Sequence, residues 1–214
     1  MKNITKLFLA IVAVGVSLTG CDSKSKLARD LEGTWASERP IALQTPDFLS
    51  ANVTNFMQFI PQNGVNNPTE GILQLSAMYS VTSMAQPSDS IVQPYSYTAS
   101  VIASISGQWK VKDDDEVDVV LDGSTYNVSV DPQGVVLEDN ILTGANESFI
   151  DSIKPALAKA ILSKIPSLTN NKLFNINEIE DIRVKNNELK CEIQDRDYKF
   201  VRQAENIMIM TNKK

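Results

Sequence analysis

The sequence contains no histidine and only two cysteines among its 214 residues. The absence of histidine excludes a Ser-His-Asp or Cys-His nucleophile and every zinc site built on histidine ligands. Two cysteines allow at most one intramolecular disulfide. The sequence therefore excludes hydrolases that depend on an imidazole base.

Positive charge is also scarce. Lys and Arg number 20 against 26 Asp and Glu, which gives a formal net charge of -6. This balance argues against binding to the phosphate backbone, so we expect no nucleic acid partner. With 43% hydrophobic residues, the chain can nevertheless bury a core and is not disordered as a whole.

The amino-terminal segment has the pattern of an export signal. Lys2 and Lys6 provide positive charge, and an apolar run follows at 7–16. The run is too short to cross a bilayer core, which needs roughly 20 apolar residues. Its length is typical of the hydrophobic region of a signal peptide.

The residues that follow carry a more specific signal, the tetrapeptide Leu18-Thr19-Gly20-Cys21. This pattern resembles the lipobox of bacterial lipoproteins, Leu-x-Gly/Ala-Cys. The resemblance implies a signal peptide at 1–20, cleavage before Cys21, and attachment of a lipid to its sulfur. The protein would then contact the membrane through this anchor, because two or more acyl chains hold a protein there stably.

Residues 21–30 are predicted to form a tether, whose extended reach of about 35 Å keeps the domain close to the lipid surface. If Cys21 carries lipid, Cys191 has no disulfide partner and is predicted to be a small buried hydrophobe. We expect the envelope of a Gram-negative bacterium, and the outer membrane in particular. Asp22 resembles an enteric inner-membrane retention signal, so the choice of membrane and leaflet stays open.

Alternation of apolar and polar residues dominates the rest of the chain. Odd positions from Tyr95 to Val111 are mostly apolar, which predicts one long strand, or two broken near Gly107. The pair Asp122-Gly123 is typical of a tight turn. Residues 31–214 are therefore predicted to form one mainly β domain, a barrel or sandwich of roughly nine or ten strands. The other predicted strands lie at 53–60, 71–83, 116–122, 126–130, 179–184, 189–193 and 198–202.

One segment, at about 146–166, has helical periodicity instead. It predicts a single amphipathic helix inserted between two blocks of strands, with its apolar face on the sheet. A helix lying on the membrane surface is the alternative. Asn146 suits the N-cap, and Pro155 either kinks the helix or restarts it. The apolar positions are Ile150, Ile153, Leu157, Ile161 and Ile165.

Two Gly-x-Trp units, Gly33-Thr34-Trp35 and Gly107-Gln108-Trp109, stand near the start and the middle of the predicted domain. Glycine lets another backbone approach closely, and the indole two residues later faces the same side and closes a hydrophobic end. The order of motifs resembles the lipocalin-like domains of many bacterial lipoproteins. The remaining matching pieces are Leu31 before Trp35, the turn Gln62-Asn63-Gly64, the turn Asp113 to Asp115, and the closing strand Tyr198 to Arg202.

This resemblance implies an antiparallel lipocalin-like β-barrel, and it suggests Arg202 as a cation–π partner of Trp35. Small residues at Ala99, Ala103 and Gly107 could leave a cavity for an apolar ligand, or make room for the helix or an aromatic ring. The candidate residues that line a ligand site or close the barrel are Trp35, Trp109, Tyr97, Ala99, Val101, Ala103 and Arg202.

The acidic cluster at Asp113–Glu116 and Asp118 offers oxygen ligands for calcium. It lacks the spacing of an EF-hand, and a solvated hairpin turn is the favoured interpretation. The sequence also has no Gly-x-Ser-x-Gly and no phosphate-binding loop. We therefore predict no catalytic residue, no metal site and no cofactor.

These observations together indicate a lipid-anchored, non-catalytic lipoprotein that binds a small apolar ligand or an envelope protein. One alternative is a structural or interaction module with a filled barrel and no ligand. A hydrolase acting through two carboxylates is a distant alternative, which requires carboxyl groups about 5–10 Å apart in a cleft.

The lipobox is tested by Cys21→Ala. We expect this change to abolish incorporation of a palmitate label into the protein, because the acceptor sulfur is gone. The measurement is metabolic labelling of bacterial cells followed by isolation of the protein. Label retained by Cys21→Ala would contradict the lipobox assignment.

Overall fold

The computed structural model describes residues 23–62, 68–86, 94–137, 147–165 and 172–204. Its strands form one sheet of ten strands, with a helix, α1, at residues 23–31 and a second helix, α2, near the middle of the chain. No helix within these ranges combines the length and hydropathy needed to cross a bilayer. The elements that follow α1 are β1 (Gly33–Ser37), β2 (Ile41–Leu43), β3 (Ser50–Pro61), β4 (Glu70–Ala85), β5 (Tyr95–Val111), β6 (Val117–Val130), β7 (Val136–Leu137), α2 (Glu147–Lys164), β8 (Glu178–Lys185), β9 (Glu188–Glu192) and β10 (Asp197–Arg202).

The strands pair antiparallel in the order β1-β10-β9-β8-β6-β5-β4-β3-β2, and β7 pairs with β5. β1 pairs with β10 on one edge and with β3 on the other. The hydrogen-bonded path of strands therefore returns to β1, and the inward side chains enclose one hydrophobic core. The lipobox with Cys21, the turn residues Asn63-Gly64 and the N-cap candidate Asn146 lie outside the described residues.

The longest predicted strand is present as β5, a single uninterrupted strand of 17 residues. Its odd positions are buried, apart from the half-buried Gly107, and its even positions are more exposed. Pairing with β4 runs from Ala85↔Tyr95 to Glu70↔Lys110. Since successive side chains of a strand alternate between faces, this alternation determines which side of the sheet becomes the core.

The prediction of a tight turn between two strands at Asp122-Gly123 is wrong in one respect. β6 runs through this position, and residues 123–126 form a local excursion opposite β5. The Thr125 hydroxyl donates to the Asp122 carbonyl at 2.7 Å and accepts the Ser106 N–H at 2.8 Å. The hydroxyl thus satisfies a backbone donor where the ladder is interrupted, and the chain resumes pairing with the same strand.

The three carboxy-terminal strands agree with their predictions. β8 and β9 are joined by Asn186-Asn187, with φ values of 52° and 64°. β9 and β10 are joined by a turn in which Gln194 and Asp195 have φ values of 52° and 59°. Consecutive positive φ values are typical of the tight hairpin turns that match the twist of antiparallel strands.

Residues 23–31 correct the prediction of an extended tether at 21–30, since they form α1. Leu27, Ala28 and Leu31 are buried and belong to the hydrophobic core. The Trp35 Nε1–H donates to the Leu31 carbonyl at 2.7 Å. α1 therefore packs against the end of the sheet where β1 begins, which we call the base.

The predicted inserted helix is present as α2, with Pro155 inside it. Its buried positions include Leu157 and Ile161, so the apolar face packs on the core as expected. Near its end, the Lys164 Nζ donates to the Ser83 Oγ at 3.0 Å. Because Ser83 lies in the last part of β4, α2 packs at the end of the long strands opposite to the base.

At Gly107 the backbones of β5 and β6 approach so closely that only glycine fits without a shift of the sheet. A Cβ at this position would lie 2.2 Å from the carbonyl oxygen of Val120. No flexible side chain can move to relieve this contact, because the opposing atom belongs to the backbone. By contrast, a Cβ at Gly123 would have no atom within 4 Å.

We expect Gly107→Ala to lower the free energy of unfolding by about 1–3 kcal/mol, because the sheet must shift to accommodate the methyl group. The matched control Gly123→Ala should change it by less than about 0.5 kcal/mol. Urea unfolding followed by tryptophan fluorescence measures both. Equal midpoints for the two variants would contradict the backbone contact at Gly107.

Candidate functional site

Both tryptophans predicted to close a barrel end are buried at the base, with exposed fractions of 0% for Trp35 and 1% for Trp109. The Trp109 Nε1–H donates to the Ile72 carbonyl at 3.1 Å, and its ring meets that of Phe59 edge to face at 5.7 Å between centroids. The indole N–H of Trp35 is bonded to Leu31, as described above. Both indoles thus have their polar atoms satisfied within the protein, and the base is closed to solvent at these rings.

The predicted contact between Arg202 and Trp35 is present. The guanidinium Cζ lies 4.2 Å from the centroid of the Trp35 ring. The same guanidinium donates to the carbonyls of Asp30, at 2.6 Å, and Glu32. Carbonyls at the end of a helix lack partners in the helix and carry partial negative charge, so a cation is stabilising there. Through these contacts Arg202 connects α1 and β1 to β10.

Gly33 makes room for this arrangement. Its φ is +112°, a conformation that other residues rarely adopt, and a Cβ here would lie 2.9 Å from the Arg202 Nη1. The first Gly-x-Trp unit thus has a defined role, because the glycine admits the arginine that stacks on the tryptophan two residues later.

The remaining candidates in β5 lie in the core. Tyr97, Ala99, Val101 and Ala103 all have exposed fractions of 2% or less. They face Ser83, Val81, Tyr79 and Ala77 across the ladder with β4. None of the seven candidate residues borders the groove described below.

The groove, with a volume of about 670 Å³, opens beside β1, β2 and β10, away from the base. Its floor consists of side chains that point to the inside of the sheet, including the buried Val53 and Tyr79, which pair across β3 and β4. Ile41 pairs with Val53 and continues the same apolar face to the surface. The lining residues are Ser37, Glu38, Arg39, Ile41, Leu43, Gln44, Thr45, Val53, Asn55, Tyr79, Lys172, Arg196, Asp197, Tyr198 and Lys199.

Polar groups on the floor already have partners. The Asn55 N–H donates to the Ser37 Oγ at 3.1 Å. In the described part of the chain, no buried side-chain nitrogen or oxygen lacks a hydrogen-bond partner. Because the floor leaves no polar atom to be satisfied, it offers mainly apolar contact to a bound molecule.

The rim carries four basic residues and two acidic ones. The Lys199 Nζ pairs with Glu38 at 2.8 Å and with Glu188 at 2.9 Å. The hydrogen bond from Lys199 is the largest cause of a lowered pKa at Glu38. The Lys172 Nζ donates to the Gln194 carbonyl at 3.4 Å.

The two arginines of the rim are different. Arg39 and Arg196 are exposed, and within the described ranges neither side chain has an ion pair or a hydrogen bond. The charge of Arg196 acts on the neighbouring Tyr198, whose pKa is raised by burial and lowered in part by that charge. Both arginines are therefore charged, exposed residues that border the groove.

Sequence reasoning missed most of the groove. Ile41 and Leu43 lie in a strand of three residues, too short for an alternating pattern to show. Arg39 and Arg196 lie in the connections between strands, where no alternation of apolar and polar residues indicates which side chains face the groove. The only signal was indirect, since Tyr198 belongs to the closing strand predicted from its alternation.

The acidic cluster forms the predicted turn at Asp113–Asp115, between β5 and β6. The Lys112 Nζ lies 2.5 Å from carboxylate oxygens of both Glu116 and Glu178, which raises the lysine pKa. The hydrogen bond between the two carboxyl groups raises the pKa of Glu116 and lowers that of Glu178, so a proton shared by the pair is bound at Glu116. Carboxylate oxygens of Glu116, Glu178 and Glu180 lie within 4.8 Å of one another, but Glu116 and Glu178 are already paired with the Lys112 ammonium group.

No family model matches the chain, and no curated protein matches it in sequence. Function must therefore be inferred from the residues of the protein itself. Two features bear on it, namely the base closed by the two tryptophans and the groove at the other end of β1.

We expect Arg202→Ala to lower the free energy of unfolding by about 2–3 kcal/mol, because hydrogen bonds to two carbonyls and the contact with Trp35 are lost. Tryptophan emission should also shift to longer wavelength as water reaches Trp35. Arg183→Ala, at an exposed position of β8, is the matched control and should change neither quantity. Unchanged stability and unchanged emission in Arg202→Ala would contradict this role.

Proposed function

We propose that the protein is a lipid-anchored lipoprotein of a Gram-negative envelope, and that its lipocalin-like β-barrel binds a small apolar ligand in the groove. The observation that carries this proposal is the floor of the groove, where inward-facing apolar side chains reach the surface at Ile41 and Leu43. A volume of about 670 Å³ lies within the range of sites for small molecules, about 300–1,000 Å³.

A barrel is supported by the pairing of β1 on both edges. A lipocalin-like barrel in particular is supported by Arg202 on Trp35, the contact implied by the sequence resemblance. The closed base and the groove beside β1, β2 and β10 also suit a barrel that admits a ligand from one side only.

The anchor is supported by the lipobox and by the position of α1. The described part of the helix starts two residues after Cys21 in the sequence, and the helix packs on the base. An anchored protein would therefore keep its base near the membrane and its groove directed away from it. This orientation leaves the groove accessible to molecules in the aqueous compartment.

Binding is favoured over hydrolysis by the state of Glu38, one of the two acidic residues that line the groove. A carboxylate-based hydrolase needs a general acid, which requires a raised pKa. Glu38 in the rim has a lowered pKa because Lys199 donates to it. Glu116 has a raised pKa but does not border the groove.

A second candidate is an interaction module that binds an envelope protein and no ligand. It is favoured by the base, where Trp35, Met57, Phe59 and Trp109 are each 1% exposed or less. Such packing leaves no room for a ligand in that half of the core, so the groove is where the two candidates differ.

Replacement of both Ile41 and Leu43 by Asn tests the groove. We expect the double variant to bind the neutral fluorescent probe N-phenylnaphthylamine at least about tenfold more weakly, because apolar contact area is lost. The measurement is fluorescence titration of the purified protein. The matched control replaces Met78 and Met84 by Asn, since both are exposed on the outer face of β4, at 43% and 48%, and neither borders the groove.

Probe binding by the wild-type protein that is unchanged in the Ile41/Leu43 variant would exclude the groove as the site. Failure of the wild-type protein to bind the probe would favour the interaction module. Circular dichroism of both double variants shows whether each is folded.

Cys191 provides the control for labelling at Cys21. Its side chain is buried, and burial raises the pKa of the thiol to about 12. Cys191→Ala should therefore leave palmitate incorporation unchanged while Cys21→Ala abolishes it.

A further inference from the structure

We propose that the ligand of the groove is an amphipathic anion, with its apolar chain on the floor and a terminal carboxylate or phosphate bound by Arg39 and Arg196. This inference rests on the proposed binding function of the groove and specifies the chemical class of the ligand.

The charge of the rim is the first observation. The chain as a whole has 26 acidic and 20 basic residues, whereas the groove is lined by two acidic and four basic ones. A wholly apolar ligand gains nothing from basic residues at the opening, whereas an anion is attracted by them. The local reversal of charge therefore indicates a ligand that carries negative charge.

The state of each basic residue is the second observation. Lys199 is held by Glu38 and Glu188, and Lys172 donates to a backbone carbonyl. Arg39 and Arg196, in contrast, make no side-chain hydrogen bond or ion pair with the residues that the structure describes, although their charges act on the neighbouring Glu38 and Tyr198. The two guanidinium groups are thus the rim donors that a ligand can engage without breaking an existing contact.

The positions and chemistry of these arginines suit an anionic group. Arg39 follows β1 and Arg196 precedes β10, and because these strands pair antiparallel, both arginines lie in connections at the same end of the two strands, beside the opening. Guanidinium groups bind carboxylate and phosphate through paired, charge-assisted hydrogen bonds. Two of them beside one opening can bind a single terminal anion while the chain extends inward.

The floor is the third observation, since it distinguishes the two ends of the ligand. Val53, Tyr79 and Ile41 supply apolar contact, and the buried polar atoms of the described residues have partners already. A hydroxyl or amide on the inner part of the ligand would lose its hydrogen bonds to water without replacement. Polar groups of the ligand therefore belong at the rim.

The test compares decanoate, decyl phosphate and decanol, at concentrations below those at which micelles form. We expect the wild-type protein to bind either anion about tenfold more tightly than decanol, measured by displacement of N-phenylnaphthylamine. In the variant Arg39→Gln with Arg196→Gln, this preference should disappear while decanol binds as before. The matched control, Lys159→Gln with Lys185→Gln, removes two exposed charges away from the groove and should keep the preference.

The source of the anion is tested with vesicles that contain phosphatidylglycerol. The unlipidated Cys21→Ala protein is tested for sedimentation with these vesicles. If it sediments with them but does not bind monomeric decanoate or decyl phosphate, the proposal is overturned in favour of binding to a membrane surface. Binding of the monomeric amphiphiles that depends on Arg39 and Arg196 supports it.

The two proposals fail in different ways. Equal affinity for decanol and the anions, or a preference that survives in the double arginine variant, overturns the anionic ligand and leaves binding in the groove intact. No binding of the probe, of decanol or of either anion overturns the proposed binding function as well.

Discussion

β1 has only five residues, yet it forms hydrogen bonds on both edges, to β10 and to β3. Without this strand the sheet would have two unpaired edges and an uncovered core. The register of β1 places Trp35 opposite both Arg202 and Met57, so the same five residues bring the base together. Helix α1 then completes the closure, because its terminal carbonyls accept hydrogen bonds from Arg202. The base therefore depends on one short strand and one guanidinium group.

The groove follows from the length of that strand. β1 ends at Ser37, and β2 pairs with β3 alone, so β1 and β3 separate beyond this point. β2 covers this edge of β3 instead, with Ile41 opposite Val53, but β2 does not pair with β10, and the groove lies between them. Connections around the opening supply the charged rim, with Arg39 on one side and Arg196 on the other. The solid base and the groove beside it thus both follow from a short first strand.

Much of the sheet could be predicted, because apolar and polar residues that alternate over many positions fit a half-buried strand and do not fit a helix. β5 and the hairpins of β8 to β10 are examples, and the resemblance of short motifs predicts Arg202 on Trp35. The groove could not be predicted, because its lining residues come from strands and connections that are far apart in the chain and meet only in the folded sheet. Helix α1 is hard to distinguish from a tether, because its apolar stripe, Leu27, Ala28 and Leu31, is too short to stand out among polar residues. The sequence at Asp122-Gly123 does interrupt the pairing of β6 with β5, but the chain then pairs with β5 again and starts no new strand.

The bonds from Arg202 to the end of α1 join residues separated by 170 and 172 positions. Contacts this distant in sequence form only after a large loss of chain entropy, so they are typical of slow folding. During synthesis, α1 and β1 cannot complete their contacts until β10 has been synthesised. Until then the edges of β3 and β4 are exposed to other chains. A protein built this way has a long interval in which it is open to aggregation or to a chaperone, and that interval ends only when residue 202 becomes available.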